Sequence, residues 1–234
     1  MVNKQTPMDT EKKTPISTLG EFGLIRHLTE SIKLENASSK YGIGDDCAVL
    51  EYPDKQVLVT TDLLMEGVHF DLTYVPLKHL GYKCAGIALT DILGMNAIPT
   101  QISVNLALSN RFSIEAVEEF MTGIRACCHN YKTDLAGLEI NTSMTGMAIS
   151  ITAVGEAEAD KIVCRRGAKE NELICVSGDF GAAYTGYLLL EREKEIFLQT
   201  QVSQPNFEGY EYLLERQLKP EPRLDIVEGL RKND

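Results

Sequence analysis

Between Gly42 and Glu156 the spacing of apolar residues keeps changing period, and this alternation limits the fold more than any other feature of the sequence. GIGDDCAVL and KQVLVTTD predict a glycine turn followed by two strands. Pro76 then opens a helix whose stripe runs Leu77, Leu80, Cys84, Ile87, Asp91 in steps of three and four. Ile102, Val104, Leu106 and Leu108 alternate as a half-buried strand, and Ser113 is placed to cap a helix carrying Ile114, Val117, Phe120, Met121 and Ile124. After Thr133 the pattern predicts a short strand and a glycine-containing loop, and then Met147, Ile149 and Ile151 alternate in the last strand of the unit. An earlier helix is predicted from Phe22, Ile25, Leu28 and Ile32. Helices and strands in this order give an α+β fold of mixed helix and sheet.

Residues 1–17, rich in Lys, Thr and Pro, predict a disordered tail, and residues 18–155 form an N-terminal domain. From 156 to 234 a partial second α/β domain is expected. KIVCRRGAKENELICVSG resumes a strand pattern, Gly178-Asp179-Phe180-Gly181 turns into a helix, and the rest is broken by Pro205, Pro220 and Pro222. The polar start and the lack of any run of roughly 18 to 20 apolar residues argue against a signal or a membrane span, so a cytoplasmic protein is expected. The 6 cysteines include no CxxC pair, and free thiols are expected.

A net charge of −11 argues against a broad contact with nucleic acid, which needs clustered Lys and Arg. An acidic protein that handles phosphates must place divalent cations between its carboxylates and the substrate. The placement of the acids is therefore informative. Asp45 and Asp46, held up by Gly42 and Gly44, either decorate a solvated turn or present hard oxygens to magnesium. Thr60-Thr61-Asp62 ends a strand where strands hand ligands to loops. Glu66 and His69 follow, and His69 reads as a packed residue or as a ligand. Asp91, on an apolar helix face, must be paired, protonated or metal-bound.

In this order GIGDDCAVL, TTDLLMEGVHF, ALTDILGMNA, ISITAVGEA and RRGAKENELICVSG resemble the thiamine-monophosphate kinases, within the wider superfamily of aminoimidazole ribonucleotide synthetase and selenophosphate synthetase. The resemblance runs from Leu19 to about Arg223. It implies ATP-dependent phosphorylation of thiamine phosphate to thiamine diphosphate, by direct transfer of the γ-phosphoryl group with magnesium as cofactor. It also implies a homodimer whose N-terminal sheets pair in a barrel. By the same resemblance Asp46 and Asp91 are catalytic metal ligands, with Thr60, Thr61, Asp62 and Glu139 as further ligands. Tyr131, Leu138, Glu139 and Arg165 are similar to ATP contacts, and His69 to a substrate contact.

Three departures stand against this pattern. Where the family reads Gly-Gly-Asp-Thr-Thr the sequence has Gly137-Leu138-Glu139-Ile140-Asn141, and Ala88 and Asn96 replace the usual Asn and Gly. A motif of the form Asp-Ile-Ser-Asp-Gly, due shortly after Arg231, is absent, so slow turnover is expected. A non-catalytic paralogue or fragment, acting as a nucleotide-binding or dimeric scaffold, is the alternative.

Overall fold

A computed structural model of the chain describes residues 18–31, 34–201 and 205–232. The expected tail, residues 1–17, lies outside them, as does Ile32 of the first helical stripe. Residues 1–35 form one compact unit and 36–234 another. In the first unit α1 (Gly20–Thr29) carries Phe22 and Ile25 exposed.

The second unit is built on one sheet. β1 (Ser39–Tyr41), β2 (Ala48–Tyr52) and β3 (Lys55–Met65) lead into α2 (Leu77–Gly94), and β4 (Ile98–Leu108), α3 (Ile114–Tyr131), β5 (Asp134–Thr142) and β6 (Ala148–Ala157) follow. The strand order is β1-β2-β3-β6-β4-β5. Every pairing is antiparallel except β4 with β5, where α3 makes the crossover that a parallel pair requires.

Each central strand alternates, as the sequence predicts. Leu58 and Leu64 on β3, Ile149, Ile151 and Ala153 on β6, and Ile102, Val104 and Leu106 on β4 are buried toward α2 and α3. α2 is buried on several sides, which two glycines allow. A Cβ on Gly81 would lie 2.0 Å from the Phe120 carbonyl oxygen, and one on Gly123 1.9 Å from that of Lys78, so α2 and α3 touch backbone to backbone. Ser113 caps α3 as expected, its Oγ accepting from the Ala116 N–H at 3.3 Å.

Two expectations are corrected. The stretch Gly137–Asn141 is no loop: β5 runs through it, paired to β4 from Ser103 with Gly137 to Leu108 with Thr142, after a register shift at Ala136. The strand expected in residues 161–178 does not form, and among the described residues no strand follows β6. A strand needs a neighbour for its backbone groups, and here Leu173 and Ile174 are 91% and 94% exposed instead. α4 (Ala182–Thr200), α5 (Glu211–Leu218) and α6 (Leu224–Lys232) complete the unit. Among the described residues no helix is long and apolar enough to cross a membrane.

Candidate metal and phosphate site

The turn after β1, the helix-facing side of β3 and the last turn of α2 meet around Cys47. Its thiol is pushed up to about 12, first by burial and then by Asp91, Asp46, Asp45 and Asp62. The charges of four carboxylates therefore act on one buried thiol, although 46 positions separate the first from the last in sequence. The Cys47 N–H donates to Met95 Sδ at 3.2 Å, tying this turn to the end of α2.

Thr60 and Asp62 share the β3 face that carries Leu58 and Leu64. Thr60 Oγ1 donates to Asp91 Oδ2 at 3.0 Å, linking strand to helix. Asp62 Oδ2 is buried and has no hydrogen-bond partner among the described residues. Burial, and then the charge of Asp91, raise Asp62 to about 6. Asp91 is raised as well, mainly by burial, with the Thr60 hydrogen bond pulling the other way. Asp46 is held from outside: Arg165 Nε donates to its Oδ1 at 2.8 Å, and Nη2 makes a second, closer bond. Asp45 Oδ1 accepts from the backbone N–H groups of Asp46 at 3.0 Å and Arg165 at 3.3 Å.

The donors here are all oxygens, which suits magnesium, and the orphaned Asp62 Oδ2 marks where a cation is wanted. Among the described residues no group of three His, Cys, Asp or Glu closes into a metal cage. Magnesium seldom needs one, since it is commonly held by one or two carboxylates, waters and substrate phosphates.

Other predicted residues lie elsewhere. Thr61 points to the opposite face of the sheet, its Oγ1 3.2 Å from Thr152 Oγ1. Leu138 stands in the cross-strand row Asp62, Ile151, Val104, Leu138, three strands from Asp62 and so roughly 14 Å away. Glu139, one residue on, faces the other side, and its Oε1 accepts from Asn141 Nδ2 at 3.0 Å. Tyr131, at the end of α3, donates its hydroxyl to Glu221 Oε2 at 2.9 Å and to the Pro222 carbonyl at 3.0 Å. The structure thus unites Asp46, Thr60, Asp62, Asp91 and Arg165, and sets Thr61, Tyr131, Leu138 and Glu139 apart from them.

His69 borders a separate cavity of about 180 Å³ between the β3–α2 connection and α4, together with Asp71, Lys83, Glu191 and Lys194. Its Nδ1 accepts from the Met65 N–H at 3.0 Å. Lys194 bonds Asp71 Oδ2 at 2.6 Å, and the Tyr74 hydroxyl bonds Glu191 at 2.6 Å. The sequence reading missed these partners because a lone charge on a helix carries no signal until the opposite wall is known. Nor does the sequence show Asp45 as the residue that seats the Arg165 backbone.

Residues 44–157, which include Asp45, Asp46, Asp62 and Asp91, match the family described as AIR synthase related protein, N-terminal domain. The thiamine-monophosphate kinase of Aquifex aeolicus is 34% identical over 218 residues, 93% of this chain and 65% of that protein. The chain is a homologue of these kinases. The kinase of Bacillus subtilis is 29% identical over 89% of the chain and 62% of its own length. A solved structure, AaThiL complexed with AMPPCP and TMP, superposes with a TM-score of 0.78 at 33% identity, covering 94% of this chain and 65% of that one. The chain thus spans less than two thirds of each of these homologous kinases, and shares the fold of AaThiL over 94% of its own length.

Proposed function

We propose that the chain carries the ATP- and magnesium-binding part of a thiamine-monophosphate kinase, which transfers the γ-phosphoryl group of ATP onto thiamine phosphate. The observation that carries this reading is the Thr60–Asp91 hydrogen bond, with Asp62 on the same strand face and Asp46 held by Arg165 at the rim, in a chain homologous to a kinase solved with AMPPCP and TMP. Phosphoryl transfer depends on neutralising and aligning phosphate oxygens more than on a covalent protein group. Magnesium, when bound, would supply that neutralisation.

The chain's own residues have distinct parts in this reading. Asp46, Asp62 and Asp91 offer carboxylate oxygens from three elements, so a cation's position is fixed by the packing of turn, strand and helix. Thr60 orients Asp91. Arg165 brings a planar guanidinium that matches phosphate geometry. His69, the substrate contact in this reading, borders the cavity that Asp71, Tyr74, Lys83, Glu191 and Lys194 also line. Because of their placement, Thr61, Tyr131, Leu138 and Glu139 have no part in the site within one chain.

We further infer a homodimer formed through the sheet face opposite α2 and α3. Leu63 and Met65 on that face are 60% and 39% exposed, beside Val57, Val59 and Val154. Sedimentation at tens of micromolar should show two copies, and a clean monomer would remove this part of the reading.

Titration with AMPPCP, followed calorimetrically with and without magnesium, tests the main reading. Binding that requires magnesium is expected. Absence of binding under both conditions would leave the scaffold reading, which the separation of Leu138 and Glu139 from the acidic cluster favours.

A further inference from the structure

We propose that Arg165 is a built-in surrogate cation, which occupies Asp46 while no divalent ion is bound and must leave that carboxylate for the ion to take it. The proposal rests on the cluster being a divalent-cation site, as argued above.

The geometry starts with the strap of residues 161–166, laid across the site's outer rim. At its near end the Lys161 carbonyl accepts from Asn96 Nδ2 at 2.8 Å, and the Val163 N–H donates to the Met95 carbonyl at 3.2 Å. Both anchors sit just beyond α2. At its far end the strap follows the Gly42–Asp46 turn: the Arg165 N–H bonds Asp45 at 3.3 Å and the Arg166 guanidinium lies 5.1 Å from the Tyr41 ring centroid. Between these anchors the Arg165 side chain turns inward to Asp46 Oδ1.

That oxygen therefore has two suitors. A guanidinium bound through Nε and Nη2 fills both lone pairs of Oδ1, so a hard cation that takes this oxygen must displace it. Exposure indicates which one can move. The Asp46 side chain is 21% exposed and the Arg165 side chain 54%, so withdrawing the guanidinium uncovers the carboxylate while burying nothing and leaving the backbone anchors in place. Exchange is cheap, because a half-exposed ion pair is a weak one. A guanidinium released at this rim is placed to meet an anionic oxygen of whatever ligand the cation carries. Cation and anion then bind cooperatively through one side chain.

Manganese, which replaces magnesium at oxygen sites and has an EPR signal when free, is the probe. The full chain is titrated with Mn²⁺ alone as wild type, Arg165→Gln, Asp46→Asn and the double variant. Arg165→Gln should tighten Mn²⁺ binding about two- to fivefold in the wild-type background and little in the Asp46→Asn background, because the competition is for Asp46. An equal gain in both backgrounds would mean mere charge repulsion and would overturn the proposal while leaving the cation site standing. No gain in either background would do the same. Failure of all four proteins to bind Mn²⁺ would overturn the site and the proposal together. As a second readout, Mn²⁺ should increase phenylglyoxal modification of Arg165, read by peptide mass spectrometry; unchanged reactivity under saturating Mn²⁺ also counts against release.

Discussion

Asp62 presents a buried carboxylate oxygen, unbonded among the described residues, beneath α2 and beside Asp91. Burial and Asp91 raise it from 3.8 to about 6, so between these values the folded chain holds a proton that the unfolded chain has released. Without divalent cations its contribution to stability should fall as pH rises through that window. Asp62→Asn should flatten the trend, as urea midpoints at pH 4.5 and 7 would show; identical slopes for both proteins would contradict the buried-carboxylate account. Asp91→Asn tests the neighbouring carboxylate. It should weaken magnesium-dependent AMPPCP binding about tenfold or more, since a charged ligand contact is worth roughly 1.5–3 kcal/mol. It should leave the apo protein's melting temperature unchanged or higher, because a crowded charge is removed and Asn still accepts from Thr60. A large fall in melting temperature would instead make Asp91 a structural residue.

At the scale of elements, the site depends on how closely α2 lies against α3. With 1.9 Å between a would-be Gly123 Cβ and the Lys78 carbonyl oxygen, Gly123→Ala cannot be absorbed by a side-chain rotation. The helices must separate. A loss of about 1–3 kcal/mol is expected from such overpacking, measured by denaturant titration, together with weaker Mn²⁺ binding as α2 carries Asp91 away. Unchanged stability would show that the two helices slide freely. The sequence made α2, β4, α3 and β6 legible because each has an undisturbed period, and it located the Ser113 cap. It misled at β5 for a local reason. Gly137 suggests a turn, but a Cβ there would sit 2.5 Å from Ser103 Oγ, so the glycine admits the neighbouring strand's side chain. Close approach and chain reversal ask for the same residue.

At the scale of the whole unit, the segment after α5 is latched onto α2 and α3 through Glu221. Its Oε2 accepts from Tyr131 at 2.9 Å and, in a shorter contact, from Tyr82, while Oε1 accepts from Lys219 Nζ at 2.6 Å. Burial and the Glu221 contact raise the Tyr82 hydroxyl to about 12. Glu221→Ala strands the Tyr82 hydroxyl, while Tyr131 keeps the Pro222 carbonyl, and should cost about 1–3 kcal/mol, read from the urea midpoint. Tyr131→Phe should cost less, about 1 kcal/mol, and should leave AMPPCP binding unchanged if Tyr131 serves the latch and not the nucleotide. A selective loss of nucleotide binding in Tyr131→Phe would restore the role that the family resemblance implies.

Local periodicity alone determined the helices, most of the strands, and the acids worth attention, because side-chain spacing is fixed by 3.6 residues per helical turn and two per strand repeat. It could not decide which acids meet. Asp46, Asp62 and Asp91 come together only when β2 and β3 pair and α2 packs across them, since convergence depends on register and packing between distant segments. The same registers put Thr61 and Glu139 on the opposite face, because a one-residue step along a strand moves a side chain through the sheet to its other face. Nor could the sequence foresee that Arg165 would fold back on Asp46 or that Tyr131 would be taken by Glu221. A hydrogen bond between residues 119 or 90 positions apart is a property of the packed chain, not of either residue's neighbours.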